Sequence, residues 1–312
     1  MITAPPRFAA HLARTADQVE AMLAHLLDDA PQPGEALRPP RLLAAMRHAV
    51  LGGGKRLRPF LMIEAARLFG VEGDRVVRAS TAVELVHCYS LVHDDLPQMD
   101  DDDLRRGRPT VHRAFDEATA ILAGDALLTL AFDVAADPAT HADPAVRAEL
   151  VLRLARASGL GGMVGGQMLD LAAEGRWTAD RRPAALGDAE IRRLQAMKTG
   201  ALLRLPLEAG ALLAGAATSD VARLGRFGAV VGLAFQIADD LLDVEASAEA
   251  MGKATGKDAA RGKGTLVALH GVSAMKAELD RLVAAASAEL AVYGTRAETL
   301  IAAARFIAER KS

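Results

Sequence analysis

Apolar residues recur at spacings of three and four positions along most of the chain, and this period predicts helices almost everywhere. Alanine and leucine dominate these segments, whereas runs of β-branched or aromatic residues, which favour strands, are scarce. The predicted helices span residues 41–51, 58–69, 77–95, 115–136, 145–158, 188–197, 199–215, 219–245, 273–292 and 296–310. Because no clear linker divides them, the pattern predicts an all-α fold in which residues 1–312 form a single large domain.

Composition narrows the class of protein. Lys and Arg number 37 and Asp and Glu 40, a net charge of −3, so no general nucleic-acid surface is expected. The single cysteine, Cys88, has no internal disulfide partner and suits a reducing compartment. The N-terminal residues lack the layout of a signal peptide, and the apolar stretches are broken by Asp125, Gln236 and Asp239. These features predict a cytoplasmic protein without stable membrane association.

Two acidic segments stand out, and the second, FQIADDLLD (235–243), lies on a predicted helix. Its polar side chains fall within an arc of roughly 100°; they are Gln236, Asp239, Asp240 and Asp243. The same stripe continues backwards through small residues, namely Gly225, Gly228, Ala229 and Gly232. This stripe is either one wall of a narrow cavity with acids at its mouth, or a solvated acidic face whose glycines allow close helix packing.

The first acidic segment, DDLPQMDDDDLRR (94–106), closes a predicted helix, because Pro97 disfavours helical geometry at the residue before it. His87 and Asp94 are seven residues apart and share a helix face. Carboxylates at this density repel one another, and a divalent cation offsets that repulsion. Hard oxygen ligands favour Mg²⁺, and the two adjacent arginines match phosphate oxygens. The segment therefore predicts a magnesium-dependent diphosphate site.

Basic residues form further clusters. The turn GGGKRLRP (52–59) precedes a predicted helix but lacks the ending of a Walker motif. KTG (198–200) follows, and the glycine- and lysine-rich stretch at 251–265 comes directly after the second acidic segment.

The combined motifs resemble the trans-isoprenyl diphosphate synthases, and most of all the bacterial farnesyl diphosphate synthases. The resemblance is carried by DDLPQMD (94–100) followed by RR, DDLLD (239–243) preceded by FQ, GGGKRLRP, GQMLD (166–170) and KTG. It implies a bundle of antiparallel helices around a deep apolar cavity, usually in a homodimer, with the acidic segments facing each other at the mouth. It also implies condensation of isopentenyl diphosphate with an allylic diphosphate.

The resemblance assigns roles residue by residue. Three Mg²⁺ ions are implied, two on Asp94 and Asp100 and the third on Asp239, with Asp240 and Asp243 in support. The residues implied to hold the allylic diphosphate with the metals are Arg105, Lys198 and Lys253. Those implied to bind isopentenyl diphosphate without metal are Lys55, Arg58, His87 and Arg106. Thr199 and Gln236 are implied to face the developing carbocation, and Gln167 and Asp170 to shape that wall. The 251–265 stretch is expected to act as a lid.

Product length depends on Tyr89, which the resemblance puts at the cavity floor, where a large aromatic residue stops growth at fifteen carbons. A geranylgeranyl diphosphate synthase is the alternative within the same chemistry. A terpene cyclase generally lacks the two basic blocks, and a non-catalytic partner subunit tends to lose acidic motifs that are intact here. A phosphohydrolase using His93 and Asp94 would need further histidine ligands, and the eight histidines show no such pattern.

Overall fold

A computed structural model describes residues 6–251 and 265–309, which are almost entirely helical. The helices are α1 (Pro6–Leu26), α2 (Pro40–Val50), α3 (Leu57–Leu68), α4 (Asp74–Asp94), α5 (Val111–Ala114), α6 (Glu117–Ala136), α7 (Pro144–Ser158), α8 (Met163–Ala173), α9 (Asp188–Gln195), α10 (Ala201–Leu213), α11 (Thr218–Met251), α12 (Leu266–His270), α13 (Val272–Leu290) and α14 (Glu298–Ala308). A π-helical turn, Ala196–Gly200, joins α9 to α10, and a 3₁₀ segment, Ala291–Ala297, joins α13 to α14. The all-α prediction is confirmed.

Four helices were missed, the short α5 and α12 and the longer α1 and α8. Helix α1 carries Phe8, Leu12, Val19 and Leu23 on its buried side at helical spacing, a signal that was present in the sequence but not used. Helix α8 contains the GQMLD motif and begins after a glycine-rich stretch of low helix propensity, so its packing overrides local preference. A two-stranded hairpin was also missed: β1 (Leu104–Arg105) pairs antiparallel with β2 (Arg108–Pro109).

Helices α3 and α10 lie at the centre because each contributes to both large hydrophobic clusters. On α3, Phe60 packs in the cluster of α11, α13 and α14, whereas Met62 packs in the cluster of α1, α2, α4, α6 and α7. On α10, Leu203 packs in the same cluster as Phe60, and Leu205 packs in the same cluster as Met62. Each fully buried side chain of this size stabilises the fold by roughly 1.5–3 kcal/mol, so this pair is the scaffold on which the site helices are held.

A buried ion pair fixes the glycine-rich turn that leads into α3. Arg56 is only 3% exposed, has a left-handed backbone (φ 45°), and donates to Glu84 on α4 at 2.7 Å and to Glu20 on α1. Burial lowers the pKa of Arg56, but the two carboxylates raise it above its ordinary value. The sequence analysis gave Arg56 no role, and its position is that of a structural anchor for the turn that carries Lys55.

The glycine stripe on α11 serves close helix packing, as the second interpretation held for the glycines, although Asp240 at the end of the stripe is buried and not solvated. A Cβ at Gly228 would lie 2.7 Å from Arg204 Cα, and one at Gly232 would lie 3.0 Å from Gly200 Cα. At Gly225 it would collide with the Glu208 side chain. These glycines therefore face α10 and the π turn, and they are not a cavity wall.

Within the described ranges, one helix, α6, is long and apolar enough by length and composition to cross a membrane. The buried core helices of soluble proteins pass the same test. About 44% of its apolar window is buried, mainly against α4 and α2, and the rest includes exposed Ile121 and Leu122.

Candidate active site

The loop after α4 brings two aspartates of the first acidic segment together. The Asp100 amide donates to the Asp94 carbonyl at 2.9 Å, and the Met99 amide donates to the Leu96 carbonyl at 2.8 Å. Asp94 is half-buried and Asp100 is exposed. Burial raises the pKa of Asp94 to about 6; Lys198 opposes this shift and the charge of Asp100 adds to it. An ionised Asp94 is thus poorly solvated and favours a nearby cation.

Asp95, the second aspartate of the motif, has an internal partner. It is 3% exposed and accepts from Arg105 Nε at 2.7 Å, and the same guanidinium contacts Asp102 at 3.2 Å. Burial raises the pKa of Asp95, and the Arg105 hydrogen bond only partly counters it. The pair was not predicted, and it leaves Asp94 and Asp100 as the members of the motif without such a guanidinium contact.

The π turn between α9 and α10 connects the two acidic segments. Lys198 forms an ion pair with Asp170 of α8 at 2.5 Å, and the charges of Asp94 and Asp100 also act on it. Burial lowers the pKa of Lys198, but these carboxylates raise it above its ordinary value. The next residue, Thr199, donates to Gln236 Oε1 of α11 at 3.2 Å. Of two consecutive side chains of one π turn, Lys198 therefore interacts electrostatically with the first acidic segment and Thr199 contacts the second. Such turns are frequent at functional sites.

In the second acidic segment, two glutamine side-chain amides fix the carboxylate of Asp240. Asp240 is 7% exposed and accepts from Gln236 Nε2 at 3.0 Å and from Gln195 Nε2 at 3.1 Å. Burial raises the pKa of Asp240 to about 6, and the two amide hydrogen bonds oppose that shift. Asp239 is half-buried and Asp243 exposed. Gln195 was missed, because only the packing of α9 on α11 brings it to Asp240.

The glycine-rich turn meets the arginine pair of the first segment. Arg106 donates to the carbonyl of Gly53, and Gly54 lacks the side chain that would collide with that guanidinium. Lys55 is exposed, and its Nζ lies 5.5 Å from the centre of the Phe306 ring.

His87 lies among these cations. Burial holds its pKa well below the ordinary value, and the charges of Arg58 and Arg106 lower it further, so the imidazole is neutral. Arg58 and Arg106 thus lie close enough to His87 for their charges to act on it. A neutral histidine surrounded by guanidinium groups has the polarity of an anion-binding site.

Tyr89 is buried between α4 and α6. Its ring meets that of His93 edge to face, with centroids 5.8 Å apart, and burial with the charge of Asp94 raises the pKa of Tyr89 to about 12. His93 Nε2 contacts the Ile121 carbonyl at 3.1 Å and occupies space left by Gly124. The His93 ring is therefore directed to α6, which disfavours the phosphohydrolase alternative.

Helix α8 adds an amide to this region. Both polar atoms of the Gln167 amide are buried and have no hydrogen-bond partner among the described residues. The neighbouring Gly166 packs on the Lys198 backbone. Lys253 and the rest of the predicted lid lie outside the described residues.

The donor set fits Mg²⁺. No three His, Cys, Asp or Glu side chains of the described ranges are gathered into a closed metal site. Mg²⁺ does not need one, because it binds one or two carboxylates and completes its shell with water and phosphate oxygens. Half-buried Asp94 and Asp239 and exposed Asp100 offer hard oxygen atoms of the required kind.

Of two cavities in the described residues, only the smaller adjoins the site. One of about 840 Å³ lies between α1, α3 and α14, and no predicted site residue lines it. The other, about 50 Å³, is lined by Arg105 and Arg106 together with Cys88 and Asp95.

The polyprenyl synthetase family model matches residues 39–294, which include every described residue of this site. The chain belongs to the polyprenyl synthetase family. It is 42% identical over 253 residues to a farnesyl diphosphate synthase of Geobacillus stearothermophilus, covering 81% of this chain and 82% of that protein. It is 40% identical to geranylgeranyl pyrophosphate synthase 4 of Arabidopsis thaliana, covering 88% and 72%. An apo crystal structure of an FPP/GFPP synthase from Zymomonas mobilis is 41% identical, with a TM-score of 0.84 over 97% of this chain and 99% of that one.

Membership in this family confirms the resemblance seen in the motifs. The chain is a prenyltransferase of the trans-prenyl diphosphate synthase class, a class that uses isopentenyl and allylic diphosphates and is in general Mg²⁺-dependent. Its relatives include both farnesyl and geranylgeranyl diphosphate synthases.

Proposed function

We propose that this enzyme condenses isopentenyl diphosphate head-to-tail with dimethylallyl or geranyl diphosphate, giving farnesyl diphosphate and free diphosphate. The observation that carries the proposal is the π turn, on which Lys198 pairs with Asp170 within the electrostatic influence of Asp94 and Asp100 while Thr199 contacts Gln236. An allylic diphosphate held between the two acidic segments would then have a cation, a hydroxyl and an amide arranged along one side.

Mg²⁺ is the proposed cofactor, with three ions per site held by Asp94, Asp100 and Asp239. When bound, it neutralises the diphosphate and makes it a better leaving group. Asp240 and Asp243 support the second segment, where Gln195 and Gln236 fix the Asp240 carboxyl. Arg105, Lys198 and Lys253 are proposed to bind the same diphosphate, with Arg105 oriented by Asp95.

Isopentenyl diphosphate is proposed to bind without metal, on Lys55, Arg58, His87 and Arg106. The guanidinium groups supply charge, and neutral His87 can donate one hydrogen bond to a phosphate oxygen without adding charge. The contact of Arg106 with Gly53 keeps the glycine-rich turn beside this group.

Catalysis is proposed to be mainly electrostatic. The C–O bond of the allylic diphosphate breaks with its electron pair leaving on oxygen, and the double bond of isopentenyl diphosphate attacks the allylic cation. The departing diphosphate then takes the proton. Thr199, Gln236 and Gln167 offer oxygen dipoles to the cation, and exclusion of water prevents its conversion to an alcohol.

Tyr89 is proposed to limit the product to fifteen carbons, at the floor of an apolar cavity. Support comes from its burial in the hydrophobic cluster that includes residues of α6, and from the match to a farnesyl diphosphate synthase. Geranylgeranyl diphosphate synthase is the second candidate, favoured by the match to the Arabidopsis protein.

The test is incubation of purified protein with Mg²⁺, isopentenyl diphosphate and each allylic starter, followed by chain-length analysis. Farnesyl diphosphate as the main product is expected. A twenty-carbon product would select the second candidate, and release of diphosphate without condensation would refute prenyl transfer.

We further propose a cytoplasmic homodimer in which the chain forms one domain. The exposed apolar side chains of α6, Ile121 and Leu122, suit burial against a second copy. The shared clusters of α3 and α10 suit one cooperative unit, and buried Cys88 suits a reducing compartment. Sedimentation should give twice the chain mass, and Leu122→Asp should give the monomer; a wild-type monomer would refute the dimer.

A further inference from the structure

Arg176, in the turn after α8, contacts the loop that joins the proposed metal ligands. Its Nη1 donates to the Gln98 carbonyl, and its Nη2 donates to the Met99 carbonyl at 2.9 Å. The two carbonyls are consecutive and lie between Asp94 and Asp100. The planar fork of a guanidinium can engage both at once, whereas a lysine ammonium has no such geometry.

The turn that presents Arg176 is itself ordered. Gly175 has a positive φ of 77°, and Thr178 Oγ1 donates to the Gly175 carbonyl at 2.9 Å. The Ala184 amide returns to the Ala173 carbonyl at 2.8 Å, which closes the loop onto the end of α8. Arg176 is half-buried, so its guanidinium is held by a defined backbone.

On the other side, the acidic loop uses its own amides internally. The Met99 and Asp101 amides both donate to the Leu96 carbonyl, at 2.8 and 3.1 Å, and the Asp100 amide donates to the Asp94 carbonyl. Arg176 binds two other groups of this turn, the carbonyls of Gln98 and Met99. Because Arg176 binds carbonyls, it leaves the carboxylates of Asp94 and Asp100 to cations, in contrast to Arg105, which binds Asp95 and Asp102.

We propose that Arg176 is a positioning residue that sets the separation of Asp94 and Asp100 before metal arrives. The proposal rests on the proposed function only where it concerns Mg²⁺. The carboxylate pair would otherwise repel, and a loop of five intervening residues has many conformations that hold the two side chains apart. Arg176 selects the conformation seen here, so Mg²⁺ binds without having to order the loop.

The first measurement needs neither metal nor catalysis. Hydrogen exchange of metal-free protein should show that Arg176→Met lowers the protection of residues 95–103 by about tenfold, the scale of a lost hydrogen bond to a charged donor. The matched control is Arg182→Met, since Arg182 lies in the same loop and its largely exposed side chain approaches Asp180 no closer than 3.8 Å. Unchanged protection in Arg176→Met would overturn the proposal.

The second measurement is the Mg²⁺ concentration that half-saturates binding of inorganic pyrophosphate, followed by calorimetry. Arg176→Met should raise it about tenfold, Arg176→Lys should restore it only in part, and Arg182→Met should leave it unchanged. Full rescue by lysine would show that the charge alone matters and would overturn the proposed role of the planar guanidinium. If Arg176→Met shows the hydrogen-exchange effect but the wild-type protein forms no prenyl product, the positioning role of Arg176 stands and the proposed function is refuted.

Discussion

Gly166→Ala tests the contact between α8 and the π turn that carries Lys198. A Cβ added at Gly166 would lie 2.5 Å from Lys198 Cα and 2.7 Å from the Met197 carbonyl carbon. Both neighbours are backbone atoms and cannot rotate away. Restoring ordinary contact requires the π turn and α8 to separate by about 1 Å, since carbon atoms pack at about 3.5–4.0 Å.

Two effects of this substitution have opposite signs. Alanine in a helix interior is favoured over glycine by about 1 kcal/mol. Overpacking of a close contact costs about 1–3 kcal/mol. We therefore expect a net loss of up to about 2 kcal/mol in unfolding free energy. The catalytic loss should be larger, because displacing a binding group by about 1 Å costs up to about 100-fold in rate.

The assay is urea unfolding together with kcat and KM for the allylic diphosphate. The matched control is Gly161→Ala, since a Cβ there has no atom within 4 Å and the residue lies just before the same helix. The control should change unfolding free energy by less than about 0.5 kcal/mol. A Gly166→Ala enzyme that is more stable than wild type and fully active would refute the contact.

Three further predictions concern other parts of the site. Asp94→Ala or Asp239→Ala should lower turnover by at least about 100-fold with an unchanged circular dichroism spectrum, because each removes a charge that organises the diphosphate. Tyr89→Ala should lengthen the product beyond fifteen carbons in chromatographic analysis, because it removes the proposed floor. Glu84→Gln should destabilise the fold by about 1.5–3 kcal/mol in denaturant unfolding, because it removes one of the two carboxylates that compensate buried Arg56.

Each of these three predictions has a control variant and a result that would contradict it. Asp103→Ala removes an exposed carboxylate bound to Arg113 and should keep most activity; near-wild-type turnover in Asp94→Ala would remove the metal assignment. Tyr89→Phe should keep the product length, and an unchanged product from Tyr89→Ala would move the floor elsewhere. Glu245→Gln alters an exposed pair with Lys276 and should be nearly neutral; an equally small effect from Glu84→Gln would contradict the anchor.

Local periodicity predicted most helices because an amphipathic helix is encoded within its own segment. The long α11, predicted to start near Ser219, begins at Thr218, and the end of α4 at Asp94 follows from Pro97. The residue types of the two acidic segments were equally readable, since carboxylate density points to a cation whatever the fold.

Contacts between residues far apart in the chain could not be predicted from the sequence. From the sequence, Asp95 could have been either a metal ligand or the partner of an arginine. Only the hairpin after the loop, which carries Arg105, makes it an ion-pair partner. Arg176 reaches carbonyls 77 and 78 positions away, and no backbone contact of that kind leaves a residue pattern. The π turn is equally hidden, because an ordinary helix would accommodate the letters AMKTG, and its packing on Gly166 is tertiary.

The central claim is that the two acidic segments together hold magnesium for an allylic diphosphate. The most direct measurement is a crystal structure with Mg²⁺ and an unreactive allylic thiodiphosphate. We predict metal density on Asp94, Asp100 and Asp239, with the diphosphate between them and Lys198 in contact. Diphosphate bound elsewhere, with residues 94–100 and 239–243 directed apart into solvent, would contradict the account.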